Sequence, residues 1–329
     1  MMANPGPQLP SYDELLVRPG VPPGSSWGLW GPDDALGCLN LLTREVVKRG
    51  LAAAHEGTVF PLNLPLDQPA PTLGGRSSYE HDVTWVGAQL GHDEELSRWN
   101  TQGSSQWDGF RHIRHLRYGF YNGLADEAHG VHHWAQHGIV GRAVLVDVGR
   151  FREREGRPLE MGTTDPIEVA DVTGAIEAQG SDVLPGDVLL LRTGWLEWYW
   201  TLGPTERAAM ADRYQTPGLR AGEATSRLLW DLHVSAIAAD NPALEAWPPS
   251  RLATPEQRAA LKEDPMVSVD ISLHFSLLPL LGMPIGELWD LGELAADCAS
   301  DGRYEALLTS SPLNLVSGVA SPPNALAIK

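Results

Sequence analysis

The sequence predicts a single α/β domain, and two observations lead to this prediction. Three short runs of apolar, mostly β-branched or small residues have the composition of buried strands. The segments between these runs have apolar residues at the spacing that is typical of helices. The runs are 138–148, 184–194 and 234–239, and the helix candidates between them are 166–179 and 222–232. Strands that alternate with helices along a chain build a sheet covered by helices within one domain.

Composition and charge narrow the class of partner. The chain has 329 residues, a hydrophobic fraction of 43% and a net charge of -18, which argues against a nucleic-acid or anionic-membrane surface. Its two cysteines, Cys38 and Cys298, belong to no CxxC motif, so a reducing compartment is expected. No secretion signal and no bilayer-length apolar run are found. We therefore expect a cytoplasmic protein that acts on a small molecule and binds neither nucleic acid nor membrane.

The first part of the chain predicts an irregular arm. Residues 1–36 are rich in proline, glycine and tryptophan, a composition that favours turns over helix. Trp27 and Trp30 indicate that this arm packs on the core or on a partner subunit. The domain proper then occupies residues 37–329.

The domain opens with local signals for one helix and two strands. Thr43 can cap a helix over 43–55, and Gly57 ends it. Residues 59–64 and 81–86 are strand candidates, separated by a proline-rich segment.

The stretch 100–112 concentrates chemistry-bearing side chains. If the backbone is extended there, alternate residues face one side and form a polar line. The members of this line are Gln102, Ser104, Gln106, Asp108 and His112. Buried polar groups are costly unless they are satisfied, and a metal ion or a substrate would satisfy them. The alternative is a polar surface loop.

Three further segments carry candidate functional residues. His133 and His137 could bind zinc from one turn of a helix, but no carboxylate has useful spacing, so a solvated helix face is favoured. Asp240 follows the strand 234–239, and the carboxyl ends of strands are where sites form in α/β folds. The alternative for Asp240 is a turn before Asn241 and Pro242. Residues 267–271 predict a fourth strand.

The stretch 100–112 resembles the signature of the metal-dependent cyclase family, which includes kynurenine formamidase and isatin hydrolase. That signature is His-x-Gly-Thr-His-x-Asp-x-Pro-x-His, and Asp108 and His112 match it identically. Gln102 and Gln106 stand where the family has histidines, and Phe110 stands at the proline. The chain thus resembles a divergent branch with a Gly-Ser-Ser-Gln-Trp-Asp-Gly motif.

The resemblance implies a fold and a set of site residues. The fold is a swivelling β/β/α domain with a barrel-like mixed sheet flanked by helices. In the family, a metal-binding histidine precedes a metal-binding glutamate by about a dozen positions, and His274 and Glu287 fit this layout, with Glu287 near the start of a helix over 286–300. The implied metal ligands are Gln106, Asp108, His274 and Glu287. The implied catalytic residues are His112, as general base, and Asp240, and the implied substrate-binding residues are Gln102, Trp107 and Asn122.

The resemblance also implies an activity. A divalent metal would activate water for hydrolysis of an amide, lactam or lactone, with His112 moving the proton. Amide oxygen is a harder ligand than imidazole, so Mn²⁺ is favoured over Zn²⁺, and a site without metal stays open if Gln106 is not a ligand. The alternatives are a non-hydrolytic cyclase that acts on a polyketide-like intermediate by proton transfer, and a binding protein on the same scaffold. The family usually forms homo-dimers or tetramers.

Overall fold

A nine-stranded mixed sheet, curled into a half-barrel and flanked by helices, forms the body of the protein. The structure is a computed structural model, and it describes residues 9–261 and 263–329, so the first eight residues of the predicted arm lie outside it. The strands are β1 (Val59–Pro61), β2 (Glu80–Val86), β3 (Gly91–Ser97), β4 (Gln106–Asp108), β5 (Ile139–Asp147), β6 (Pro166–Ile167), β7 (Val188–Arg192), β8 (Gly218–Leu219), β9 (Ala236–Ala239), β10 (Ile285–Glu287), β11 (Glu305–Ser310), β12 (Ala320–Ser321) and β13 (Ala325–Ile328).

Short helices cover the sheet. They are α1 (Tyr12–Leu16), α2 (Arg44–Ala53), α3 (Val131–His137), α4 (Val148–Arg154), α5 (Val169–Gln179), α6 (Trp195–Thr201), α7 (Pro204–Met210), α8 (Glu223–Asp231), α9 (Pro255–Ala260), α10 (Val267–Ile271), α11 (His274–Ser276) and α12 (Gly292–Asp301). None of the described helices combines the length and the apolar character needed to cross a bilayer.

The strand order places the predicted signature next to the parallel core. The order is β1-β13-β11-β5-β7-β9-β10-β4-β12, with β5, β7, β9 and β10 parallel and the flanking pairs antiparallel. The three central strands are almost wholly buried, as their continuous apolar runs predict. The predicted α/β fold with a barrel-like mixed sheet is confirmed.

Helix α2 lies tightly against β5. Thr43 caps it by accepting a hydrogen bond from the Val46 backbone N–H. A Cβ atom added to Gly50 would lie 2.7 Å from the carbonyl carbon of Gly141, so only glycine permits this approach of helix to strand.

The arm is fastened to the body. Leu15 of α1 is fully buried, and the Trp230 side chain donates a hydrogen bond to the Pro10 carbonyl at 2.8 Å. The Trp27 side chain donates to the Pro279 carbonyl at 2.7 Å. The described part of the arm therefore packs on the core, while the division of the chain at residue 36 stays a prediction.

Three sequence expectations differ from the structure. Residues 267–271 form helix α10 rather than a strand, because a short apolar run cannot separate the two by periodicity. Glu287 ends strand β10, and the following helix begins only at Gly292. The stretch 100–112 is extended only over β4, since turns precede and follow these three residues.

Strands β2 and β3 form a hairpin outside the main sheet. Its register pairs Val83 with Glu94 and Trp85 with His92, and every residue of β2 is exposed. Strand β3 was not expected, because its sequence Gly-His-Asp-Glu-Glu-Leu-Ser is charged rather than apolar.

Candidate active site

Strand β4 presents Gln106 and Asp108 on one face and Trp107 on the other. It lies between β10 and β12, with Gln106 opposite Glu287. Both Gln106 and Asp108 are fully buried. The Trp107 indole packs edge-on to Trp289 with ring centroids 4.7 Å apart, and its N–H donates to Ser310 Oγ at 2.9 Å. Trp107 is therefore a core residue and does not reach the polar face.

A turn, not an extended strand, brings His112 back to Asp108. The His112 backbone N–H donates to the Gly109 carbonyl at 2.9 Å. His112 Nε2 then lies 3.7 Å from Asp108 Oδ2. The Gln102 amide nitrogen donates to Asp108 Oδ1 at 2.6 Å and lies 3.1 Å from His112 Nδ1. The polar residues predicted to share one face are thus brought together by a turn of the chain.

Glu245 orients His274 at the start of α11. The Glu245 carboxylate accepts hydrogen bonds from the Leu273 N–H at 2.7 Å and from the Ser272 hydroxyl at 2.5 Å. The same carboxylate lies 3.2 Å from His274 Nδ1. A carboxylate at Nδ1 holds the proton there and leaves Nε2 free to act as a ligand or acceptor. His274 Nε2 lies 3.7 Å from Asp108 Oδ2 and 3.3 Å from Glu287 Oε1.

The Gln106 amide is engaged by two charged neighbours. Its nitrogen donates to Glu287 Oε2 at 2.5 Å, and its oxygen accepts from Arg76 at 3.3 Å. The same Arg76 nitrogen donates to the Gln102 carbonyl at 2.7 Å. Gln106 therefore aligns Glu287 and Arg76, and its oxygen faces a cation that belongs to the protein.

The pKa values of the two carboxyl groups of the site, Asp108 and Glu287, are shifted in opposite directions. Burial alone would raise the pKa of Asp108, but the neighbouring His112, His274 and Arg76 side chains lower it to about 2. Burial and the negative charge of Asp108 raise the pKa of Glu287 to about 6, although His274 opposes this. The buried carboxyl pair therefore favours a positive charge between its members.

The pKa values of the two imidazoles, His112 and His274, are also shifted in opposite directions. Burial lowers the pKa of His112, only partly offset by Asp108. Burial acts in the same direction on His274, but Glu245, Asp108 and Glu287 outweigh it and raise that pKa well above its usual value. His274 is therefore drawn toward the cationic form by the same carboxylates that would hold a metal ion.

The residues present fit a divalent metal. Asp108 Oδ2 is buried and accepts no hydrogen bond within the described residues. One ligand atom from each of Asp108, His112 and His274 lies within 4.8 Å of the others. A carboxylate oxygen with imidazole nitrogens is a donor set that suits first-row divalent metals.

The structure does not bring two other predicted residues to this cluster. The Asp240 carboxylate accepts hydrogen bonds from the Thr193 N–H and hydroxyl and from the Gly194 N–H, each at 2.7 Å. Burial and the charge of Glu197 raise its pKa to about 7. Asp240 therefore organises the turn after β7.

Asn122 fastens the arm instead of lining the site. Its amide nitrogen donates to the carbonyls of Gly31 and Pro32 at 2.9 Å, and its oxygen accepts from the Gly28 N–H at 2.8 Å. Both polar atoms of its side chain thus hold the arm to the loop before α3.

Two residues of the site were missed in the sequence. Glu245 contacts His274 from 29 positions away, and Arg76 contacts Gln106 from 30 positions away. Neither belongs to a local motif, so no spacing signal could have found them. The histidines of α3 do not join the cluster, and His133 Nε2 instead lies 3.1 Å from the Ala128 carbonyl.

A family model described as "Putative cyclase" matches residues 52–246. A crystal structure described as that of a novel cyclase is 32% identical, has a TM-score of 0.75 and covers 93% of this chain and 99% of its own. No curated protein matches the sequence significantly.

More distant solved structures share the fold. Isatin hydrolase A from Labrenzia aggregata, bound to benzyl benzoate, is 14% identical with a TM-score of 0.56, and the match covers 86% of this chain and 97% of that one. Isatin hydrolase A from Ralstonia solanacearum is 18% identical with a TM-score of 0.55, and the match covers 87% and 97%.

Proposed function

Because the chain belongs to the cyclase family, we propose that it is a metal-dependent hydrolase that opens an amide, lactam or lactone bond. The observation that carries this proposal is the buried Asp108 Oδ2, which lacks a hydrogen-bond donor among the described residues and faces two imidazole nitrogens at 3.7 Å. Leaving such an oxygen unpaired is costly, so a cation in contact with it would stabilise the site.

Asp108, His274 and Glu287 would hold the metal, and His112, which has a nitrogen within 4.8 Å of ligand atoms of Asp108 and His274, would border it. Glu287 Oε1 and Asp108 Oδ2 both face His274 Nε2, and the mutual repulsion of these buried carboxylates would be relieved by a cation. Gln106 would support Glu287 by its hydrogen bond rather than serve as a ligand. Two oxygens and one nitrogen form an oxygen-rich set, which favours Mn²⁺ over Zn²⁺. When bound, the metal supplies Lewis-acid polarisation of a carbonyl and lowers the pKa of water.

His112 would move the proton. Its side chain is 23% exposed, against 3% for Glu287, so His112 borders the side that a substrate can reach. Its lowered pKa keeps the imidazole neutral near pH 7 and thus able to accept a proton. To accept at Nε2 it must carry its own proton on Nδ1, which requires the Gln102 amide to turn away from that atom.

Elemental analysis tests the metal. We expect about one Mn²⁺ per chain in protein incubated with manganese and dialysed, and little in the isosteric Asp108→Asn variant. The loaded protein is then assayed on lactones, lactams, cyclic imides and linear amides. If the wild-type protein holds no metal after manganese incubation, the metal-dependent mechanism is excluded.

The His112→Ala variant tests the proton transfer. Turnover should fall by roughly 10²-fold or more with metal content unchanged, as for removal of a general base. His137→Ala, an exposed histidine of α3, is the matched control and should retain full turnover. Unchanged turnover in His112→Ala would remove His112 from the mechanism.

A proton-transfer cyclase is the second candidate, and the Gln102 contact favours it. Because the Gln102 amide nitrogen faces His112 Nδ1, a neutral His112 carries its proton on Nε2, where it can donate to a substrate carbonyl. Reaction in ¹⁸O-labelled water separates the two candidates. Hydrolysis incorporates one label into the product, whereas cyclisation by proton transfer incorporates none.

A further inference from the structure

A cleft opens beside the segment that carries His274. It has a volume of about 390 Å³, within the range of roughly 300–1,000 Å³ that small-molecule pockets occupy. The walls come from α1, from the loop after His112, from α8 and from α10 with α11. The residues of the metal cluster do not line it, so the proposed hydrolysis leaves this cleft without a role.

A buried histidine side chain faces this cleft with an unused donor. His115 is only 5% exposed, and its Nδ1 accepts the backbone N–H groups of Arg117 at 3.1 Å and Tyr118 at 3.3 Å. Two donors at Nδ1 place the proton of the neutral imidazole on Nε2. Burial, with help from Arg117, lowers the pKa of His115 and keeps it neutral. The Nε2–H group has no acceptor among the described residues and is not itself buried, so it is free to donate to a molecule in the cleft.

The rest of the lining selects a type of ligand. Tyr12, Tyr118 and Phe275 supply aromatic surface, which suits a flat ring. Asp270 contributes a carboxylate that repels anions and can accept a hydrogen bond, whereas the Glu223 carboxylate is paired with Arg227 at 2.7 Å. An ammonium group would suit Asp270 but would leave the N–H of His115 facing another donor.

We propose that this cleft binds a small, uncharged aromatic molecule that presents a carbonyl oxygen beside an N–H group, as an aromatic amide or lactam does. The carbonyl accepts from His115 Nε2, the N–H donates to Asp270, and the ring lies against the aromatic side chains. Phe275 directly follows His274, so a bound molecule would contact the segment that orients this imidazole. Such binding requires neither a bound metal nor catalysis.

Binding of oxindole, benzamide and benzoate to the metal-free, full-length protein tests the proposal. The first two present the required carbonyl and N–H, whereas benzoate has the shape of benzamide with a negative charge. We expect oxindole and benzamide to bind by calorimetry and to shift the imidazole NMR signals of His115. Benzoate should bind at least tenfold more weakly. Equal affinity for benzamide and benzoate would contradict the proposed recognition.

Paired variants separate recognition from folding. In His115→Asn, the side-chain oxygen can still accept from the loop, but the donor to the cleft is lost, so oxindole should bind about tenfold more weakly, as for one lost hydrogen bond. His137→Asn, which lies outside the cleft, should bind as the wild type does. Asp270→Asn, at an exposed position, should reduce the discrimination against benzoate. Equal affinity in His115→Asn, with an unchanged melting temperature, would overturn the proposal.

Asp108→Asn shows where the probes bind. This variant should retain wild-type affinity for oxindole, because Asp108 does not line the cleft. Loss of oxindole binding in Asp108→Asn would assign the probe to the metal cluster and would also overturn the proposal. Failure of the proposed hydrolysis, in contrast, would appear as missing metal or missing turnover and would leave these affinities unchanged.

Discussion

Glu245 determines what His274 can do, although it takes no part in the reacting face itself. In Glu245→Gln the negative charge beside His274 Nδ1 is lost, and we expect manganese affinity to fall by roughly 10–100-fold. Titration calorimetry measures this change. Ser272→Ala is the control, because it removes one donor to Glu245 and leaves the carboxylate in place. Equal affinities in Glu245→Gln and the wild type would refute this positioning role.

Gln106 stabilises the Glu287 carboxylate by donating a hydrogen bond from its amide nitrogen at 2.5 Å. In Gln106→Glu this hydrogen bond becomes a contact between two buried acids, so the metal-free protein should lose about 3 kcal/mol of unfolding free energy. Saturating Mn²⁺ should recover part of the loss, because the cation neutralises the added charge. Urea unfolding with and without manganese measures both effects. A metal-free variant as stable as the wild type would show that the amide is not needed there.

Among the elements, strand β10 is tightly packed around Gly286. A Cβ atom added to Gly286 would lie 2.5 Å from the Ala238 Cβ atom on β9 and 2.7 Å from the Trp289 indole nitrogen. Gly286→Ala should therefore destabilise the protein by about 1–3 kcal/mol and displace Glu287, weakening metal binding as well.

Gly91→Ala is the matched control for Gly286→Ala. Gly91 is also a strand glycine, but nothing lies within 4 Å of an added Cβ atom there. Urea unfolding of the two variants compares them directly. Similar losses of stability in both would mean that backbone freedom, rather than crowding, determines the effect.

The elements also differ in how far the sequence predicts them. The strands β5, β7 and β9 are recognisable because parallel central strands are apolar on both faces. Helix α10 is not recognisable from the sequence, because its five residues favour a strand by composition. Only the surrounding fold determines that they form a helix. Strand β3 is hidden by its charges, since both faces of its hairpin meet solvent.

The residues of the site also differ in how far the sequence predicts them. Gln106 and Asp108 alternate on one short strand, so the sequence pattern finds them as a pair. Glu245 and Arg76 reach the cluster only through tertiary folding, which no local pattern encodes. Asp240 follows a strand as a site residue would, yet backbone and hydroxyl donors occupy its carboxylate.

At the scale of the whole molecule, the hairpin of β2 and β3 offers a surface for self-association. Val83 and Trp85 lie on one face of it and are 55% and 58% exposed, while Asp82 and Thr84 lie on the other. An isolated two-stranded hairpin is only marginally stable in water. The homo-dimer or tetramer stays a prediction. We expect a second copy to pack on the face that carries Val83 and Trp85 together with their cross-strand partners Glu94 and His92.

A pair of variants on the two faces of β2 checks the association. Val83→Asp should shift the protein toward monomer in light scattering, because a charge would be buried in the contact. Thr84→Asp places the same charge on the opposite face and should leave the mass unchanged. A wild-type protein that is already monomeric would contradict the expectation outright.

The position of β4 has a consequence for the order of events during synthesis. Among the strands of the described residues, β4 pairs only with β10 and β12, and Gln106 leaves the ribosome 181 residues before its partner Glu287. At roughly 5–20 residues per second, that interval lasts on the order of ten seconds or more. Throughout it, the nascent chain carries the signature strand without either neighbour. The parallel strands β5, β7 and β9 emerge within the same interval and can pair with one another before β10 appears. Metal capture would therefore belong to the final stage of biogenesis, and a chain that stalls before β10 would have no complete site to load.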